Sequence, residues 1–329
     1  MTGGRHASET RLEWLRSSSW SAVSRLCLPA LALAAIAILA FVPRLTSAYH
    51  LAFIVTVLEY VVLATAWTLF SGTTRYMSLA TAAFFGLGAY LVVFLGKTLP
   101  MPALVLLAAA AGFGVAFIVG FSTLRLRGPY FVIFTLGLSE LIRQMVIWWE
   151  INQNQTVGRI IHLRVSMDDI YYYLLGLTML VYGVCYSIGR SRVGYALRAI
   201  GEDETAASHV GINNTRLKVL TFAVSAAFMS MTGAVIAPRF SYMEPNIAFD
   251  PLLSFTVLIM ALLGGIHRLY GPAVGIVPLI FLSEYLSGAF PFYFGLILGV
   301  CFMAIVYFLP VGVVGLAEDW LARARAWRR

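Results

Sequence analysis

The chain has 329 residues, of which 60% are apolar and only 12% are charged, and its mean hydropathy is +0.85. A soluble domain carries about 25% charged residues, so this chain cannot cover a water-facing surface with polar side chains. The composition excludes an ordinary soluble enzyme, a disordered protein and a nucleic-acid-binding domain. The fold class that it predicts is an all-α, polytopic integral membrane protein.

Apolar segments in chain order predict the membrane spans. A helix needs about 20 mainly apolar residues to cross a hydrocarbon core of about 30 Å. We expect the first span to be an uncleaved helix, because it ends at Val42-Pro43-Arg44 without a small-residue cleavage site. The eighth and ninth are short and predict a hairpin of helices. The ten predicted spans are 26–43, 50–70, 77–96, 101–124, 129–149, 170–189, 218–240, 249–266, 270–287 and 291–309.

The distribution of positive charge predicts the orientation. With the N-terminus placed inside, all but six of the 23 Lys and Arg residues fall in the two tails or in alternate loops. Cytoplasmic loops of multi-span proteins carry this excess. We therefore predict a cytoplasmic tail over 1–25, a transmembrane domain over 26–310 and a basic cytoplasmic tail over 311–329. The longest inside loop, 190–217, then lies on the same side as both termini.

The loop 190–217 differs in composition from its surroundings, since it carries charges of both signs. Acidic residues complement the positive end of a helix dipole, and glycine is the usual stop at a helix C-terminus. The pattern predicts a short amphipathic helix over 203–211 beneath the membrane, with a small face for close docking; a solvated connector is the alternative. The acidic residues are Glu202, Asp203 and Glu204, the small face is Ala206-Ala207, and the glycine stop is Gly211.

Away from the ends of the predicted spans, four Asp, Glu, Lys or Arg residues lie inside them. Glu59 lies in the second span, Glu140 and Arg143 in the fifth, and Glu284 in the ninth. Charges at membrane depth are costly and are functional candidates by default. Glu140 and Arg143 are three residues apart, so they share one helix face and are within reach of each other. The alternative for all four is structural pairing that locks helices together.

Four short motifs follow one another in a characteristic order. On the basis of these motifs, residues 55–310 resemble the M-type subunit of the branched-chain amino acid permeases of ABC importers. Urea and short-chain amide permeases are close relatives of that subunit. The third motif fits the Ala-Ala-x3-Gly core of the segment that couples such permeases to an ATPase. The motifs are Ser78-Leu79 with Ala82–Tyr90, Leu124–Phe131, Thr205–Gly211, and Leu262–Gly265 followed by Tyr270-Gly271-Pro272.

Three departures qualify the resemblance. The segments 74–81 and 155–158 differ from the family pattern and leave the substrate open. The coupling motif begins at Thr205, where Glu is the family's usual residue, with Glu204 one position earlier. This last difference is usual in the M-type subfamily and leaves the coupling role intact.

The resemblance implies a permease subunit in the inner membrane, surrounded by lipid and partnered by a second permease, two ATP-binding subunits and an extracytoplasmic binding protein. The full phosphate-loop pattern Gly-x4-Gly-Lys-Ser/Thr is absent from the sequence, because Gly96-Lys97-Thr98 has Leu91 where the pattern needs its first glycine. ATP hydrolysis is therefore expected in the partners. We predict no catalytic residues, no cofactor, no metal and no nucleic acid. The implied ATPase-coupling residues are Glu204, Thr205, Ala206, Ala207 and Gly211, and the translocation-path candidates are Glu59, Glu140, Arg143 and Glu284.

Two other classes stay open on the sequence alone. An ion-coupled secondary transporter could use the acids inside the spans and would need no ATPase. A polytopic membrane enzyme would need clustered His or Asp at one membrane face, which the sequence does not offer. A urea or short-chain amide permease is the alternative within the favoured class.

Overall fold

A computed structural model describes residues 43–44, 46–124, 126, 128–266, 270–293, 295–297, 299–300, 303–304 and 312. The predicted N-terminal tail, the first span apart from Pro43, about half of the tenth span and the C-terminal tail apart from Gly312 lie outside these residues. The chain forms two compact units, 1–51 and 52–329. The helix that begins at Ala48 enters the second unit at residue 52, and the helices and strands that follow it all belong to the second unit.

The described residues are mostly helical. The helix Ala48–Trp67 passes directly into a π-helical turn at Thr68–Gly72. Two short 3-10 turns lie at Ala237–Arg239 and Pro291–Tyr293. Two short strands, β1 (Arg159–Ile160) and β2 (Tyr242–Met243), pair antiparallel with Arg159 opposite Met243. The helices are α1 Ala48–Trp67, α2 Thr81–Leu95, α3 Met101–Thr123, α4 Pro129–Asn154, α5 Met167–Arg190, α6 Arg192–Glu202, α7 Glu204–His209, α8 Asn214–Ile236, α9 Pro245–Ala248, α10 Pro251–Gly264 and α11 Gly271–Ala289.

Six stretches of the described chain are long and apolar enough to cross a membrane. Two shorter apolar helices, Thr81–Leu95 and Gly271–Leu286, accompany them. The predicted class, an all-α polytopic membrane protein, is confirmed, whereas a total of ten spans stays a prediction. The six stretches are Ala48–Gly72, Met101–Thr123, Pro129–Gln153, Met167–Arg190, Asn214–Arg239 and Pro245–Gly264.

The connections between the helices gather at two opposite ends. Arg75, just after α1, meets Glu202 at the end of α6, and Lys218 near the start of α8 reaches the Leu124 carbonyl after α3. At the other end Arg159 of β1 lies over the ring of Phe94 at the end of α2. We call these the α7 end and the ribbon end.

The centre of the bundle is α8, which packs against α2 and α3 through small residues. An added Cβ at Gly88 of α2 would lie 1.8 Å from the carbonyl oxygen of Ser230, and one at Gly233 would lie 1.9 Å from that of Phe85. Ser230 also donates from Oγ to the Phe84 carbonyl at 2.9 Å. Small residues allow helix backbones to approach this closely in lipid.

We expect Gly88→Ala to destabilise the bundle, because its methyl group would meet a backbone carbonyl that cannot swing aside. Overpacking of this kind costs about 1–3 kcal/mol. Gly114→Ala in α3 is the matched control, since nothing lies within 4 Å of its added Cβ. Thermal unfolding in detergent should separate the two variants; equal melting temperatures would contradict the close α2–α8 approach.

Candidate functional site

At the α7 end, α6 folds back directly from α5. Ser191 caps α6 by accepting from the Gly194 N–H at 3.4 Å, and Arg198 donates to the Gly189 carbonyl at 2.6 Å. The sequence did not predict α6 as a separate helix. Glu202, which we expected in the first turn of the 203–211 helix, is instead the last residue of α6.

The short helix predicted over 203–211 is present as α7, Glu204–His209. Asp203 caps it, with Oδ1 accepting from the N–H groups of Thr205 at 2.8 Å and Ala206 at 3.1 Å. The bonds from Ala206 and Thr205 hold the pKa of the Asp203 carboxyl below its ordinary value, so the cap is ionised at neutral pH. Gly211 ends the segment with φ +88°, as the sequence predicted.

The two alanines of α7 do not form one face, contrary to the sequence interpretation. Ala207 is buried and packs inward, whereas Ala206 is exposed. Successive helix residues point about 100° apart, so neighbours in sequence cannot share a narrow face. The outward surface instead includes Val210, which is 82% exposed. Sequence reasoning missed Val210, although an apolar residue in a polar loop was an available signal.

Glu204 points into the bundle and binds a buried lysine. Its Oε1 lies 2.6 Å from Nζ of Lys218, and its Oε2 accepts from the Tyr76 hydroxyl at 2.7 Å. Lys218 is 2% exposed and also donates to the Tyr76 hydroxyl and the Leu124 carbonyl, both at 3.2 Å. An ammonium group has three hydrogens to donate, and here three acceptors surround it.

These contacts fasten α7 to three parts of the bundle. Lys218 belongs to α8, Tyr76 to the connection after α1, and Leu124 to the end of α3. The Asn214 side chain adds a bond to the Glu204 carbonyl at 2.6 Å. We call Glu204, Lys218 and Tyr76 the α7 anchor. The sequence did not identify Lys218 or Tyr76 as site residues.

The mid-span pair predicted in α4 is formed. Arg143 donates from Nη2 to Glu140 Oε1, and from Nη1 to Asn246 Oδ1 at 2.6 Å. Gln144 donates to the same Glu140 oxygen at 2.9 Å. The side chains of Glu140 and Arg143 are 46% and 25% exposed. The pair therefore joins α4 to the short helix α9, and part of each side chain stays exposed.

The other two path candidates lie on different helices. Glu59 is buried on α1 and interacts electrostatically with Arg239, which also donates to Thr56 at 2.9 Å. Glu284 lies exposed on α11. The three acids therefore do not form a single cluster. Arg239 is a partner for Glu59 that the sequence did not suggest.

A second buried ion pair organises the ribbon end. Glu150 is fully buried, 3.4 Å from Arg159 Nε, and accepts from the Gly158 N–H at 2.8 Å. The Arg159 guanidinium lies over the rings of Phe94 and Trp149. A cavity of about 520 Å³ opens beside it, between residues 93–97, 156–162 and Tyr242.

Together these features define a multi-pass membrane protein. It has a partly exposed ion pair, Glu140–Arg143, in the middle of one span and a separate short helix, α7, held at one end of the bundle. The family described as "Branched-chain amino acid transport system / permease component" matches residues 49–306. The chain belongs to this family, which confirms the resemblance seen in the sequence motifs. It is accordingly a transport permease component.

Three relatives illustrate the similarity; each is described as a high-affinity branched-chain amino acid transport system permease protein. LivM of Salmonella typhimurium is 27% identical over 299 residues, covering 80% of this chain and 69% of the relative. BraD of Pseudomonas aeruginosa is 25% identical over 242 residues, covering 66% and 78%. LivH of Escherichia coli is 28% identical over 155 residues, covering 46% and 49%.

Proposed function

We propose that this chain is the transmembrane permease subunit of an ATP-driven importer of branched-chain or other small amino acids in the inner membrane. Its family and the descriptions of its relatives support the substrate class. The observation that carries the proposal is α7, a capped helix outside the apolar spans that a buried ion pair of 2.6 Å ties to the bundle.

In this proposal α7 is the coupling helix, and it docks into a groove of an ATP-binding subunit. Thr205, Ala206 and Val210 supply the exposed docking surface. Glu204 and Ala207 face inward and hold the helix on the bundle. Closure of the ATP-binding subunits then moves α7, and the α7 anchor passes the movement to α8 and the connection after α1. The spans switch access by rigid-body rocking about a midplane site.

The proposed orientation places the α7 end in the cytoplasm, where the positive charge of the loops is concentrated. A second permease subunit completes the pathway, since α4 keeps a charged, half-exposed pair that lipid would disfavour. The extracytoplasmic binding protein delivers substrate at the ribbon end, and two ATP-binding subunits supply the energy.

Val210→Asp tests the docking surface. We expect the variant to retain about tenfold less ATP-binding subunit in a pull-down and to lose uptake in parallel, because a charge enters the middle of an apolar contact. Insertion and melting temperature should be unchanged, since Val210 is 82% exposed.

Val193→Asp is the matched control, an exposed valine of the same loop that belongs to α6. Normal pull-down and uptake by Val210→Asp would contradict the docking role of α7. Uptake of labelled leucine and of labelled urea by the wild-type complex decides between the amino acid and the amide alternatives.

A further inference from the structure

The exposed face of α4 is divided into two strips. One strip is apolar and carries Phe134, Leu141 and Met145. The other carries Gly137, Glu140 and Gln144, at the three- and four-residue spacing that places residues on one helix face. The apolar strip suits lipid, whereas the second strip, which we call the polar strip, does not.

The polar strip is confined to the middle of the helix. Glu140 and Gln144 lie near the centre of the 26-residue α4. Towards the two ends, the same side of the helix carries Ile133 and Ile151, both exposed. A charged surface at this depth is costly in lipid, so we expect the strip to face a water-filled path between permease subunits.

The ion pair on this strip has unused bonding capacity. Nη1 and Nη2 of Arg143 each donate one hydrogen bond, to Asn246 and to Glu140, and each has a second hydrogen left. The bonds from Arg143 and Gln144 to Glu140 both end on Oε1. A guanidinium group and a carboxylate can each make further directed bonds, so the pair can bind a ligand carrying both charges.

We propose that Glu140, Arg143 and Asn246 form a head-group site for a zwitterionic α-amino acid within the translocation path. Arg143 donates to the ligand carboxylate, Glu140 accepts from its ammonium group, and Asn246, which already accepts from Arg143 at 2.6 Å, fixes the guanidinium. The Glu140–Arg143 pair neutralises the site when it is empty, and a zwitterion leaves it neutral when occupied. This inference rests on the proposed function and assigns residues to it.

The aliphatic surroundings fit a branched-chain ligand. Ile247 follows Asn246 on α9 and is 47% exposed. Ile133 and Ile151 flank the polar strip on α4. A substrate with a charged head group and an aliphatic side chain therefore meets both kinds of surface along this path.

The double variant Glu140→Gln/Arg143→Gln, reconstituted with its partner subunits and binding protein, tests the site. We expect the maximal rate of leucine uptake to fall about tenfold or more, since bonds to charged groups are lost. The leucine concentration for half-maximal uptake should stay constant, because the binding protein sets it.

Stability separates this site from purely structural pairing. A single change such as Glu140→Ala leaves an uncompensated charge and should lower the melting temperature more than Glu140→Ala/Arg143→Ala does. The Gln/Gln double variant should melt close to the wild type. If that stable variant transports leucine at the wild-type rate, the pair only joins helices and the proposed site is wrong.

Access to water gives a readout that does not depend on uptake. In a background without the three native cysteines, Gln144→Cys should react with a charged, membrane-impermeant thiol reagent, and leucine should slow the reaction. Met145→Cys, on the apolar strip, is the control and should stay unreactive. An unreactive Gln144→Cys would overturn the site, whereas a wild-type complex that carries no amino acid would overturn the proposed function itself.

Discussion

Lys218→Met is expected to release α7 from the bundle and to abolish coupled transport. The substitution removes the ammonium group that binds Glu204 at 2.6 Å. The same group also donates hydrogen bonds to the Tyr76 hydroxyl and the Leu124 carbonyl. Losing one member of a buried ion pair costs about 3–5 kcal/mol. We expect the lower end of this range, because the Glu204 side chain is 20% exposed and water can reach it.

The chain offers a matched control in Lys97→Met, since Lys97 and Lys218 are its two lysines and Lys97 is exposed. Lys97→Met should melt like the wild type in detergent. Adding Glu204→Gln to Lys218→Met should restore part of the lost stability, because the unpaired carboxylate is removed as well. Strictly additive effects of the two changes would mean that the pair does not hold α7.

Coupling provides a second measurement of the same anchor. In the assembled complex, Lys218→Met should keep basal ATP hydrolysis by the partner subunits but lose its stimulation by loaded binding protein. A variant that is merely less stable should recover stimulation at low temperature. Full stimulation in folded Lys218→Met protein would show that movement reaches the spans by another route.

The spans were predictable because long apolar runs have few alternatives in a membrane. The ends of the spans were predicted less accurately, because capping and the connections between helices set them. α8 begins at Asn214, before the apolar run, since the Asn213 side chain caps it by accepting from the Arg216 N–H at 3.1 Å. α2 begins at Thr81 and is only 15 residues long, because residues 75–80 leave the helical path.

The candidate site was predictable only where its signal is local. Asp203 as the cap, Glu204 in the first turn and a glycine stop identified α7, whose last residue, His209, lies two positions before Gly211. The α7 anchor joins Tyr76 to Glu204 across 128 positions, and no pattern within one segment contains that pairing. Glu140 and Arg143, by contrast, are one turn apart, so helical spacing alone was enough to predict their contact.

Gly211→Val is expected to reduce substrate uptake about tenfold or more, while Gly211→Asn stays within about twofold, because asparagine adopts the left-handed conformation far more readily than a β-branched residue. Gly211 has φ +88°, and an added Cβ would meet no atom within 4 Å. The strain of a substitution therefore lies in the backbone of residue 211 and not in a clash with the bundle.

Valine can relieve this strain only by changing φ, which redirects the chain between α7 and α8. That change moves the exposed Val210 and loosens the bond from Asn214 to the Glu204 carbonyl. Membrane insertion should survive, because the segment lies outside the apolar spans. Gly189→Val is the control, since Gly189 lies within helix α5 and an added Cβ there also meets nothing within 4 Å. Uptake and ATP-binding-subunit pull-down should fall only for Gly211→Val; wild-type values in that variant would show that transport does not depend on the position of α7.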